Sequence, residues 1–152
     1  MTRTAEGDAL TALVLPAFEL NGEFLAAAHE IATPHGLTPA WWQVLGATLD
    51  EALPVAEIAR RVGLGLARQS VQRVADILVA KGWAVYVPNP RHSRAKLLQP
   101  TDAGRDVITS LRGEQHAWSN AVGEDVGLDD LERALDIVLR VIRASRRYRG
   151  DH

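Results

Sequence analysis

The stretch ARQSVQRVADILVAKGW (Ala67–Trp83) opens with Arg68, Gln69, Ser70, Gln72 and Arg73. A merely solvated helix face is usually rich in Glu and Lys. Guanidinium and carboxamide groups are instead the side chains that pair with base edges. Arg matches the two acceptors of guanine and Gln matches adenine, each good bidentate pair giving roughly 1–3 kcal/mol of discrimination. Ser70 is short and close to a helix start, which suits a phosphate oxygen. A second basic group, Arg91, His92, Arg94 and Lys96, lies in NPRHSRAKLL (Asn89–Leu98). On a hairpin tip, Arg91 or Arg94 suits a narrow minor groove, where the negative potential is enhanced, and Lys96 suits a phosphate.

Charge distribution agrees with this chemistry, although the net charge of −2 over 152 residues does not. From Pro54 to Lys96 there are eight Lys/Arg against Glu57 and Asp76, a balance of +6. The remainder carries nine basic and seventeen acidic residues, a balance of −8. A basic middle on an acidic frame steers a polyanion to one face.

The elements that must hold these residues follow from periodicity. In the helix after Ala67, Val71, Val74, Ala75 and Leu78 recur at i, i+3, i+4 and i+7, opposite Gln69, Gln72, Arg73 and Asp76. Lys81-Gly82 reads as its end. Before it, LPVAEIARRVG (Leu53–Gly63) reads as a short helix, with Gly63 and Gly65 in the turn and the next helix beginning at Leu66 or Ala67. A helix opens at Thr38 as N-cap with Pro39 in its first position. After Gly82 the period changes. WAVYV (Trp83–Val87) and AKLLQ (Ala95–Gln99) read as two strands joined by PNPRHS. Two short helices followed by a hairpin with a basic tip form a winged helix-turn-helix unit, 38–100.

Long helices flank this unit. The first is expected from Asp8 to Thr33, with a kink or late start at Pro16 and an end at TPHG. Its Leu13, Ala17, Leu20, Phe24, Ala27 and Ile31 form a narrow seam of alternating three and four spacing. A helix beginning with Thr101 as N-cap is expected to run through Val122, with Val107, Leu111, Trp118 and Val122 on one face. Gly123 and Gly127 are expected to separate it from a last helix whose Leu128, Leu131, Leu135, Val138, Ile142 and Ser145 form a second seam. A second copy would bury both seams, so a two-fold homodimer with two reading heads is expected. The fold class is mainly α (α+β): one domain, 1–152, with a winged helix-turn-helix between dimerisation helices at 8–33 and 102–148.

The order of these blocks resembles the MarR family of dimeric winged-helix transcription regulators. The resemblance rests on LTPAWWQVL (Leu37–Leu45), VAEIARRVGL (Val55–Leu64), ARQSVQRVADILVAKGW, NPRHSRAKLL and TDAGR (Thr101–Arg105), and it covers most of the chain. It implies DNA contacts by Arg68, Gln69, Ser70, Gln72 and Arg73 on the recognition helix, and by the wing from Arg91 to Lys96. The chain departs from the family pattern in three respects. Arg91 and Ser93 stand where the family generally has an acid and an Arg, which removes an ion pair that buttresses the wing. VGLGLARQ is about two residues longer than a common version, and Pro100 stands where Leu is general.

The resemblance further implies a small aromatic or lipophilic effector that loosens the DNA complex. His29, Trp41, Trp42, Trp83 and Trp118 are the residues placed to line its pocket, although Trp41 and Trp118 also read as core. His29, His35 and His116 show no metal-ligand spacing, no phosphate loop or hydrolase motif is present, and no cofactor or catalytic site is expected. There is no cysteine. No apolar run reaches the roughly 18 residues of a membrane span, and MTRTAEGDAL lacks the pattern of a signal peptide. A cytoplasmic location with no membrane partner is expected. The expected function is a homodimeric, ligand-responsive repressor that binds a pseudo-palindromic site in double-stranded DNA. The competing reading is a winged-helix interaction module that has lost DNA binding.

Overall fold

The computed structural model describes residues 1–62 and 67–150. The expected turn glycines Gly63 and Gly65, and Leu66 as a helix start, lie outside the described residues. Two compact units are present, Met1–Arg112 and Gly113–His152.

In the first unit, helix α1 (Ala5–Ala32) begins three residues before the expected start. Thr4 is its N-cap, the hydroxyl accepting from Gly7 N at 3.0 Å, and Glu6 and Asp8 favour the positive end of the helix dipole. Pro16 lies inside the helix, so the late start is not adopted. A 3-10 turn, Thr33–His35, closes on Gly36 at φ 77°, a left-handed conformation that favours glycine. Ala5–His35 is long and apolar enough to cross a membrane by length and composition alone, its most apolar 18-residue window having mean hydropathy 1.3. The expectation that no apolar run approaches a membrane span is corrected to that extent: Glu19, Asn21 and Glu23 interrupt the run, but the Leu, Val, Phe and Ala residues around them outweigh these polar ones in the average.

Helix α2 (Pro39–Ala47) is capped as expected, Thr38 Oγ1 accepting from Trp41 N at 3.2 Å. Leu53–Pro54 is a short strand, β1, rather than the start of a helix. The cause is local and tertiary together. A residue before proline avoids the α region, and Leu53 finds an antiparallel partner in Leu98. Helix α3 (Val55–Val62) follows, then α4 (Arg68–Ala80), closed by Lys81 and by Gly82 at φ 77°. Strands β2 (Ala84–Val87) and β3 (Leu97–Pro100) complete a sheet in the order β1-β3-β2, with Tyr86 opposite Leu98. Val44, Leu45, Ile58, Val71, Ala75, Leu78 and Leu98 are fully buried between helices and sheet.

The single helix expected from Thr101 to Val122 is in fact two. Helix α5 (Asp102–Ser110) ends at Leu111, and α6 (Arg112–Val126) begins anew. Leu111 is fully buried and its N–H turns to Ile108 O, while Ser110 Oγ donates to Val107 O at 2.6 Å. These tighter bonds end the helix although the apolar spacing runs on. Thr101 caps α5 and also donates to Gly82 O at 2.6 Å. Gly104 packs so closely on the backbone of Trp83 that a Cβ there would clash with Trp83 O. The TDAGR block is thus the clamp that fixes the hairpin to α5.

The second unit holds the rest of α6 and helix α7 (Leu128–Arg149). Gly127, at φ 98°, makes the break, whereas Gly123 lies inside α6 and separates nothing. Along α7, Leu128, Leu131, Leu135, Val138 and Ile142 are all exposed, as are Leu13, Leu20 and Phe24 of α1.

Candidate nucleic-acid interface

Helix α4 divides as its period requires. Val71, Val74, Ala75 and Leu78 are buried, whereas Arg68, Gln69, Gln72 and Arg73 are exposed and Ser70 is half-buried. Ala67 precedes the helix without a side-chain cap, and its carbonyl accepts from Ser70 N at 2.8 Å and Val71 N at 3.2 Å.

The loop between β2 and β3 carries Arg91, His92, Arg94 and Lys96, all exposed. Side chains of the loop hold its shape. Asn89 Oδ1 accepts from Arg91 N at 2.9 Å, and His92 Nδ1 accepts from Ala95 N at 3.0 Å and Arg94 N at 3.3 Å. His92 therefore carries its proton on Nε2 and serves the turn through Nδ1, a role its sequence context did not disclose. These bonds stand where the family pattern has an ion pair.

Between α4 and this loop lies a cleft of about 290 Å³, bordered by Arg68, Gln72, Tyr86, Arg94 and Lys96. Three of its nine lining residues are cations, contributed by both sequence-predicted groups. Among the described residues, no carboxylate lies within ion-pair distance of Arg68, Arg73, Arg91, Arg94 or Lys96. The other basic residues of the middle segment are engaged elsewhere. Arg61 pairs with Glu51 at 3.2 Å and Glu57 at 3.3 Å, and Arg60 with Glu57 at 3.4 Å. Lys81 Nζ sits over the rings of Trp41 and Trp83, 5.1 and 5.4 Å from their centroids.

One feature of the groove was not foreseen. Gln72 Nε2 donates to Tyr86 Oη at 2.8 Å and to Asp76 Oδ1 at 3.0 Å, and Tyr86 Oη donates to the same Oδ1 at 2.6 Å. Burial, followed by the hydrogen bond and charge of Asp76, pushes the Tyr86 phenol up to about 12, with the Gln72 bond opposing. The phenol is therefore a fixed donor at neutral pH. The i, i+4 spacing of Gln72 and Asp76 is the only part of this cluster visible in the sequence.

The five residues expected to line an effector pocket are only partly brought together. Trp41 and Trp83 meet edge to face, 6.5 Å between centroids, beneath Lys81. Trp42 is half-buried against the core, and His29 is exposed on α1. Trp118 belongs to the second unit and is 36% exposed, so it is not part of a buried core. Among the described residues, no group of three or more His, Asp or Glu is placed to hold a metal ion.

A family model described as the MarR family matches residues 35–95, from the end of the 3-10 turn after α1 into the β2–β3 loop. The chain is 36% identical over 142 residues to the uncharacterized protein Rv2011c of Mycobacterium tuberculosis (strain ATCC 25618 / H37Rv), covering 93% of this chain and 98% of that one. The chain belongs to the MarR family. Solved structures share the MarR fold at lower identity. A Cys-to-Ser mutant of MarR from E. coli, complexed with operator DNA, has a TM-score of 0.74 at 19% identity, covering 88% of this chain and 96% of that one. CouR from Rhodococcus jostii RHA1, bound to p-coumaroyl-CoA, has a TM-score of 0.70 at 21% identity, covering 93% and 95%. Helices α3 and α4 followed by the β2–β3 hairpin have the element order of a winged helix.

Proposed function

We propose that this MarR-family chain is a sequence-specific regulator that grips double-stranded DNA as a homodimer and represses transcription by occupying its site. The observation that carries this reading is the groove between α4 and the wing. It gathers Arg68, Arg94 and Lys96 around polar Gln72, with no carboxylate paired to those cations among the described residues. Such a groove suits one phosphodiester strand, while Arg68, Gln69, Gln72 and Arg73 face the major groove. A fold shared with an operator-bound MarR supports the same docking.

The exposed apolar stripes of α1 and α7 support the homodimer. Glu19 and Glu23 in the middle of α1 favour a partner helix over lipid, since carboxylates at bilayer depth are costly. This supports a cytoplasmic location. Two copies would offer two recognition helices to a pseudo-palindromic operator. A small aromatic or lipophilic effector fits the Trp41–Trp83 pair, where Lys81 would meet an acidic group. The CoA thioester bound to CouR supports an effector of that chemistry.

The test is protection of DNA upstream of the chain's own gene. The expected result is two protected half-sites about one helical turn apart and raised transcription when the gene is deleted. An interaction module without DNA binding would protect nothing.

A further inference from the structure

We infer that Tyr86 and Asp76 latch Gln72 so that its carboxamide is set, before DNA arrives, to read one adenine in each half-site. The inference rests on α4 being the recognition helix and adds a specificity determinant to it.

The polarity of the amide is dictated by chemistry. Asp76 Oδ1 is a charged acceptor, so Gln72 must turn its nitrogen toward it and its oxygen away. The two acceptors of that nitrogen, Asp76 Oδ1 and Tyr86 Oη, are themselves only 2.6 Å apart. The two N–H bonds of an amide diverge far more widely than this, so the pair shares one proton. Gln72 is left with Oε1 and its second N–H, an acceptor and a donor, which is the complement of adenine N6 and N7 in the major groove. A free glutamine on an exposed helix samples many rotamers and loses that freedom on binding. Gln72 has lost it already. Among the described residues, Arg68 and Arg73 are held by no such contacts.

Tyr86 and Asp76 are positioning residues: they act on DNA only through Gln72. Tyr86 stands on β2 and Asp76 on α4, so the latch also ties the recognition helix to the wing sheet. That the phenol keeps its proton up to high pH means that its bond to Asp76 persists under all ordinary binding conditions.

The experiment selects duplexes from a randomised pool with the full-length chain, then varies the recovered site one base pair at a time. Gln72→Ala is expected to lose a preference for A·T at one position per half-site, roughly tenfold. Tyr86→Phe and Asp76→Ala are expected to lose a several-fold part of the same preference at the same position and no other. Asp76→Ala should also bind every duplex more tightly, because a negative charge leaves the groove. Asp76 is exposed, so this variant keeps the test open should Tyr86→Phe fold poorly. Tyr86→Phe and Asp76→Ala proteins that keep the wild-type base ratios overturn the latch, and so does a uniform loss of affinity across all sequences. A wild-type chain that selects no duplex overturns the regulator reading together with the latch, a pattern distinct from either of those.

Discussion

The Tyr86 hydroxyl donates to Asp76 Oδ1 across 2.6 Å, joining strand β2 to helix α4 at the edge of the cationic groove. Its consequence for alkaline stability has a definite sign. Burial, and with it the hydrogen bond and charge of Asp76, pushes the folded phenol from an ordinary 10.0 up to about 12. The stabilisation is therefore complete below pH 10 and is lost as pH rises toward 12, because the unfolded chain releases the proton first. Urea unfolding across that window is expected to show a fall in midpoint that is shallower in Tyr86→Phe. Equal falls in both proteins would count against the bond.

Gly104 bears directly on the integrity of the hairpin. A Cβ at this position would clash with Trp83 O, a backbone atom that cannot swing aside. Gly104→Ala is expected to lose at least about 2 kcal/mol of stability, read as a lowered urea midpoint with an unchanged slope. A stability within error of wild type would show that α5 shifts freely, contrary to the clamp described.

The wing turn depends on His92. Removing the ring takes away the acceptor of Arg94 N and Ala95 N. In His92→Ala these two amides are expected to exchange hydrogen about tenfold faster, with the amides of α4 unaffected. Unchanged exchange at Arg94 and Ala95 would mean that Asn89 alone holds the turn.

Pairing of two copies is tested on α7. Leu135 is 60% exposed in the isolated chain and lies in the middle of its apolar stripe. Leu135→Glu places a charge where a partner would exclude water, and the dimer is expected to weaken roughly a hundredfold, measured by sedimentation equilibrium. A wild-type chain that sediments as a monomer, or a variant that still dimerises fully, would refute a contact through this stripe.

Local chemistry was legible in the sequence, and chemistry between distant segments was not. Thr38, Pro39, Thr101 and Gly82 mark element ends correctly because caps and left-handed glycines act within a few residues. The buried and exposed sides of α4 followed from spacing alone. Strand β1 escaped because the bias of Leu53 before Pro54 makes a strand only with its partner Leu98, far along the chain. The break at Leu111 escaped because the apolar period continues through it, while the bonds that end α5 are made by Ser110 and by backbone tightening. Asp76 read as one more polar residue and Tyr86 as a strand aromatic. Only packing brings the phenol to the helix and turns three unremarkable side chains into a latch.

Helix α4 and the wing present to a duplex cations that, among the described residues, pair with no carboxylate, together with exposed Gln69 and the latched Gln72. The most direct measurement of this central claim is the affinity of the full-length chain for the DNA upstream of its own gene as a function of salt, with Arg73→Ala beside wild type. A steep negative slope of log affinity against log salt is predicted, and Arg73→Ala should weaken binding and reduce the slope by about 1 if it meets a phosphate, or relax one base preference if it meets a guanine. Salt-independent binding, or binding that Arg73→Ala leaves unchanged in affinity, slope and base preference, would contradict it.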